Sequence, residues 1–229
     1  MPVRSITANG QIQSIPKVPS DQMKVIQIPY GPFASNMYIV FCGGDAFIVD
    51  PSVSYNTIEG HIDGFDTGKV RGVFATHGHY DHICCSDDWR TILPQAEFYL
   101  SQKDVPLLAD PRANCSYMDG KKCVFDDLYS DADGSICYGD VKITVIATPG
   151  HTKGSVCYLF EQGEERVLFT GDTVFAGSIG RTDFPGGSFK EISESVNKIK
   201  QLDPELVIYP GHGPASTIGE EIKTNPYFA

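Results

Sequence analysis

Five of the six histidines in this 229-residue chain lie where glycine or proline interrupts the sequence, immediately after a run of strand-forming residues. The densest case is THGHYDH, His77 to His82, at the end of a β-branched run over residues 70–76. Such a chain must fold so that several strand ends meet. Acidic and imidazole groups packed between strand and helix are costly to desolvate unless paired, and a divalent cation supplies that pairing. His77 and His79 are two residues apart, so in extended backbone they leave the same face and converge on one ion. Asp81 and His82, where the chain turns, can face a second.

Further candidates follow strand-like runs elsewhere: His151 in PGHTKGS, Asp172 in TGDT and His212 in PGHG. Gly or Pro beside each lets the backbone turn a ligand inward. Taken singly, each of these residues reads as an exposed or hydrogen-bonded turn or cap residue. Jointly, the histidines and carboxylates form a borderline-hard N/O donor set suited to zinc first, with iron or manganese also accommodated. The thiols are too few for an iron–sulfur cluster.

Strand signals cover residues 24–29, 36–41 and 46–49, with Gly43-Gly44 as a hairpin turn. Ile58, Ile62 and Phe65 share one face of an expected helix over residues 55–65, with His61 toward solvent. Ser86, Asp87 and Asp88 start another helix, acidic residues at its positive end. Residues 103–135 read as one short helix in long loops. Strands are expected at 136–138, 141–147, 155–160, 166–170 and 206–209. Ser188 and Glu191 form a capping box for a helix reaching about residue 202.

Apolar residues at 41% and charged residues at 21% are those of a globular chain. The expected organisation is an N-terminal tail or lead-in strand over residues 1–20, then one domain over 21–229. A formal charge of −11 with no basic run argues against nucleic acid as a partner. No apolar run is long enough to span a membrane or to act as a signal peptide, and the seven cysteines are odd in number and irregularly spaced. Both point to the cytoplasm and reduced thiols.

THGHYDH, PGHTKGS, TGDTVFAGSIGRTDFPGG and PGHGPASTIGEE resemble the successive motifs of the metallo-β-lactamase superfamily, particularly its glyoxalase II-like branch, the hydroxyacylglutathione hydrolases, from residue 23 onward. The resemblance implies an α/β fold, a four-layer αββα sandwich. It implies one metal on His77, His79 and His151, a second on Asp81, His82 and His212, and Asp172 bridging both. It further implies that water held between the two ions, with Asp81 and Asp172 as catalytic carboxylates, attacks an acyl carbonyl. Asp50 resembles the family residue that orients the ligand loop by hydrogen bonding, its alternative being a turn residue.

The pattern also departs from the family. β-Lactamases of the superfamily carry another residue at the Asp172 position and lack the histidine at 82, so a thioester such as S-lactoylglutathione or a related small acyl thiol is expected rather than an antibiotic. Glyoxalase II-type enzymes carry a Lys-Phe-Tyr segment where Arg181-Thr-Asp183 stands, and a C-terminal helical extension absent here. Arg181 is then a candidate to hold a substrate carboxylate, a salt bridge with Asp183 being the alternative. Lys153, replacing a proline, either shapes substrate charge or is solvated. Cys84 and Cys85, replacing two glycines, are expected to pack locally. A mononuclear iron persulfide dioxygenase using His77, His151 and Asp172 ranks second, because the flanks of Arg181 look more like the hydrolase branch. A non-catalytic metal domain ranks third, since no ligand is replaced. Oligomeric state is open.

Overall fold

A computed structural model of the chain describes residues 4–5, 23–62, 64–120 and 130–228. Of the expected tail, only Arg4–Ser5 (β1) fall within these, paired in parallel with the next strand. The strands β2 (Lys24–Tyr30), β3 (Ser35–Cys42), β4 (Asp45–Val49), β5 (Val70–Phe74), β6 (Glu97–Leu100) and β7 (Ser130–Asp131) follow β1, in chain order, in a seven-stranded sheet. The second sheet runs β15–β14–β11–β10–β9–β8, from β8 (Ser135–Tyr138), β9 (Val141–Ala147), β10 (Val156–Gln162), β11 (Glu165–Gly171), β14 (Val207–Pro210) and β15 (Ser216–Thr217). β12 (Val174–Phe175) and β13 (Ser178–Ile179) form a separate hairpin.

The Gly43–Gly44 turn is as expected: both residues have positive φ, +61° and +81°, and join β3 to β4 through the Cys42–Asp45 pair. The expected helix over residues 55–65 is shorter. α1 (Tyr55–Ile58) stops before Gly60, whose φ of +73° breaks the right-handed path. Ile58 and Ile62 are nonetheless buried, and His61 is exposed. α2 (Tyr80–Ile83) and α3 (Ser86–Ile92) follow β5 directly, with Asp87 and Asp88 in the first turn of α3. α4 (Val105–Leu108) is the short helix of the loop region, where residues 121–129 lie outside the described residues. α5 (Phe189–Ile199) is capped as its sequence indicates, Ser188 Oγ accepting from the Glu191 amide at 3.3 Å. α6 (Ile218–Thr224) is capped likewise by Thr217.

The layers follow from which face each strand buries. Phe47 and Phe74 of the first sheet meet Phe160 of the second, with ring centroids 5.6 Å apart in both pairs, and Tyr38 meets Phe169 at 5.1 Å. This is the middle of the sandwich. On the outer face of the first sheet, Ile26, Ile39, Ile48 and Val73 pack against Ile58, Trp89 and Leu93. Leu168 and Ile208 of the second sheet pack against Val196, Ile199 and Ile218. The result is the expected αββα arrangement, helices outside and two sheets within. Each fully buried aromatic or aliphatic side chain contributes about 1.5–3 kcal/mol of burial. Among the described residues, no helix is long and apolar enough to cross a membrane.

Candidate metal centre

Strand β5 ends at Phe74, and the chain then carries His77 and His79 into the start of α2, which presents Asp81 and His82. His151 follows β9, Asp172 follows β11, and His212 follows β14. All seven side chains meet at one end of the sandwich. Donor atoms lie within 4.8 Å of one another in three groups: His77, His79 and His151; Asp81, His82 and His212; and His77, His82 and Asp172. Asp172 lies between the first two groups, Oδ2 3.3 Å from His151 Nε2 and Oδ1 3.4 Å from His82 Nε2.

Glycine beside these ligands is required by close approach. A Cβ on Gly150 would fall 2.2 Å from the backbone nitrogen of Ile192 in α5, and φ there is +134°. A Cβ on Gly211 would fall 2.1 Å from Asp172 Oδ1. Hence the Pro-Gly-His repetition seen in the sequence.

Hydrogen bonds outside the cluster fix how most imidazoles face. Thr76 donates its hydroxyl to Asp50 at 2.9 Å, so its oxygen accepts from His77 Nδ1 at 3.1 Å. His82 Nδ1 donates to Asp50 at 2.8 Å, His151 Nδ1 to the Arg181 carbonyl at 2.7 Å, and His212 Nδ1 to the Phe33 carbonyl at 3.0 Å. Each of these four rings turns Nε2 inward. Asp50 thus orients two of the candidate donors, His82 directly and His77 through Thr76, and also accepts the Thr76 amide at 2.7 Å. It holds this place with φ +52°, a strained conformation for a non-glycine residue.

The centre fits cations by an observation of its own. His77 Nε2, His79 Nε2 and Asp172 Oδ1 are buried without hydrogen-bond partners, and His79 Nδ1 lies 2.9 Å from His151 Nε2. A buried polar atom left so costs about 1–3 kcal/mol, and a shared cation removes that cost. Without metal the charges adjust among themselves. Burial, with His82 and His79 nearby, holds His77 well below the usual imidazole range, and burial with His151 pushes His79 down to about 3. His82 goes the other way: burial opposes its charge, but Asp81, Asp172 and Asp50 overcome this and push it up to about 10. Burial would raise Asp81, yet His82 and His212 hold it well below the carboxylate range.

One supporting residue has no signal in the sequence. Asp104, ahead of α4, is buried and accepts from the Gly78 amide at 2.9 Å, the Thr152 hydroxyl at 2.7 Å and the Gly154 amide at 2.6 Å. It ties the His77–His79 loop to the turn after His151. Burial raises its carboxyl despite these bonds.

The centre floors a cavity of about 340 Å³ whose walls include Phe33, Met118, Phe175 and Phe184. Arg181 lines it, but its guanidinium donates twice to Asp183, at 2.7 and 2.5 Å, the salt-bridge alternative. Lys153 is not among the lining residues. Its neighbour Thr152 is turned inward onto Asp104, which leaves Lys153 exposed beside Gly186. Cys84 and Cys85 stand outside the three donor groups. Their sulfurs lie 3.9 Å apart and donate to the Ser52 carbonyl, as local packing requires.

Residues 30–212 match the Metallo-beta-lactamase superfamily, so the chain belongs to that family. It is similar to the probable metallo-hydrolase YqgX of Bacillus subtilis (strain 168), 30% identical over 214 residues that cover 90% of this chain and 97% of the relative. Among solved structures it is similar to the BLEG-1 B3 metallo-beta-lactamase, with 32% identity, TM-score 0.78, and 90% and 100% of the two chains covered. It is also similar to TTHA1623 in a di-iron-bound form, with 28% identity, TM-score 0.73, and coverage of 88% and 99%.

Proposed function

We propose that the chain is a metal-dependent hydrolase that cleaves the acyl–sulfur bond of a small thioester. The observation that carries the reading is the complete pair of inward-facing donor triads, joined by Asp172, at the floor of an open cavity. His77, His79 and His151 would hold one divalent ion and Asp81, His82 and His212 another, with Asp172 between them. Such an ion pair supplies an acidified water and polarises an acyl carbonyl at neutral pH. The residues themselves position. Asp50 keeps His82 Nε2 aimed inward. Asp81, largely buried but open to the cavity side and held ionised, would accept a hydrogen bond from the attacking water.

The second triad favours a two-metal hydrolase over the mononuclear dioxygenase, which needs only His77, His151 and Asp172. Zinc and iron both suit the donors, and TTHA1623 carries two irons. A β-lactam is the second reading for the scissile acyl group, favoured by the likeness to BLEG-1 despite Asp172 and His82.

Metal analysis of the purified protein, coupled to a panel of thioesters and a chromogenic β-lactam, tests this. About two equivalents of metal and thioester turnover are expected, with Asp172→Ala lowering turnover by about 10³-fold. Unchanged turnover in Asp172→Ala with metal still bound would end the mechanism.

A further inference from the structure

The walls of the cavity carry more specific information than its floor. Phe184 stands with its ring 5.3 Å from His79, and Phe175 stands 5.9 Å from His212, so aromatic surface adjoins the donors on two sides. At the rim, Phe33 and Met118 are 38% and 45% exposed, although they come from separate turns of the chain. Large apolar side chains left to water around one concavity mark a place where an apolar ligand group is covered.

Charge narrows the class further. Among the described residues lining the cavity, Arg181 is the sole Lys or Arg, and it is committed to Asp183 and stacked 4.3 Å over the Phe184 ring. Beyond Phe184, a second groove of about 760 Å³ holds Arg112 together with Asp110, so that groove adds no net positive charge. The ions that Asp81 and Asp172 would hold offset those two carboxylates at the floor, while the chain as a whole carries −11. Away from the metal centre, a ligand with two carboxylates would approach an acidic protein and find no unpaired Lys or Arg among the described residues that line the cavity.

We infer that the substrate presents an uncharged, apolar acyl group on a neutral thiol carrier, seated against Phe184, Phe175 and Met118, and is not a glutathione thioester. This rests on the hydrolase reading for the word substrate, while the binding preference itself is measurable without turnover. Calorimetry on the metal-loaded protein would compare non-hydrolysable thioethers: S-ethyl-, S-butyl- and S-hexyl-N-acetylcysteamine against S-hexylglutathione. Affinity should rise about fourfold per added methylene. The neutral hexyl compound should bind at least about tenfold more tightly than its glutathione counterpart. Phe184→Ala and, at the exposed rim, Met118→Ala should each flatten the chain-length dependence.

The inference is overturned if S-hexylglutathione binds as tightly or better and loses that affinity in Arg181→Gln, or if chain length has no effect. Preferential binding of the neutral hexyl compound without hydrolysis of any thioester would count against the hydrolase reading and for the apolar, uncharged preference.

Discussion

Replacing Asp104 by alanine removes a carboxylate that touches no metal donor, yet the first triad should suffer for it. Three buried donors lose their acceptor: Gly78 N, Thr152 Oγ1 and Gly154 N, at 2.6–2.9 Å. Hydrogen bonds to a charged group contribute about 1.5–3 kcal/mol each, roughly 4–9 kcal/mol for the set. The raised carboxyl shows that burial already opposes the ionised form, so part of that sum is offset. A net loss of about 4 kcal/mol follows, which for a chain this size lowers the melting temperature by about 8–16 °C. Gly78 separates His77 from His79, and Thr152 adjoins His151, so the same change loosens one triad and leaves Asp81, His82 and His212 in place. Scanning calorimetry paired with metal titration should show one site weakened by about 10–100-fold and the other nearly unchanged. A variant melting within about 2 °C of the parent with both affinities intact would refute the argument.

Three further outcomes follow from the centre itself. Gly211→Ala places a methyl 2.1 Å from Asp172 Oδ1 and 2.7 Å from His82 Cε1, so the variant should lose about one equivalent of metal and at least about 10²-fold in turnover, read by metal analysis and steady-state kinetics. Metal uptake at neutral pH should release a proton from His82, which its carboxylates push up to about 10 in the metal-free protein but which binds metal only when neutral. Apparent metal affinity therefore rises with pH toward about 10, and binding enthalpy varies with the ionisation enthalpy of the buffer. No buffer dependence would contradict this. The same raised pKa gives the metal-free protein stability that is full below about 6.5 and lost as pH climbs through about 10.

What the sequence made legible was periodic or punctuated. β2 to β4, the strands around His151 and Asp172, and α5 with its Ser188 cap announce themselves by alternation, by Gly43-Gly44 and by a capping box. The helix expected over 55–65 shows the limit: Ile58, Ile62 and Phe65 have helical spacing, but Gly60 bends the chain and buries Ile58 and Ile62 without a helix between them. β6 was missed although its Phe98 and Tyr99 are strand-forming, and α6 although Thr217 and Glu220 are spaced as a cap. The seven side chains that the structure brings together lie in segments the sequence marks by Gly or Pro after a strand-like run, Asp81 and His82 one step further on in α2. Asp104 is not marked in this way: it lies in an Asp-rich loop, and its role comes from contacts 26 to 50 residues away. Arg181 and Lys153 stand out by charge and by departing from the family motifs, and neither signal tells a side chain aimed at a cavity from one paired with a neighbour or turned to solvent.

The two sheets contribute unequally to the donors: His77 to His82 follow the first sheet, while His151, Asp172 and His212 follow the second. One view would make the ions the clamp between them. The hydrogen bonds at this end argue otherwise. Asn36 Nδ2 and Tyr38 Oη both donate to the Pro210 carbonyl, at 2.9 and 2.6 Å, and the Asn36 amide donates to Gly211 O at 2.7 Å. The Val156 amide reaches Thr76 O at 2.9 Å, and Tyr158 Oη reaches Ala75 O at 3.0 Å. These bonds join the sheets beside the His77 and His212 segments and just after His151, above a shared aromatic core. Metal-stripped protein should therefore keep its fold and its near-ultraviolet dichroism. Returning metal at about 100 times its dissociation constant should add only the linkage term, about 2.7 kcal/mol per site, or roughly 10–20 °C for two sites. Loss of near-ultraviolet dichroism on chelation at 25 °C would show instead that the ions, not these bonds, hold the sheets in register.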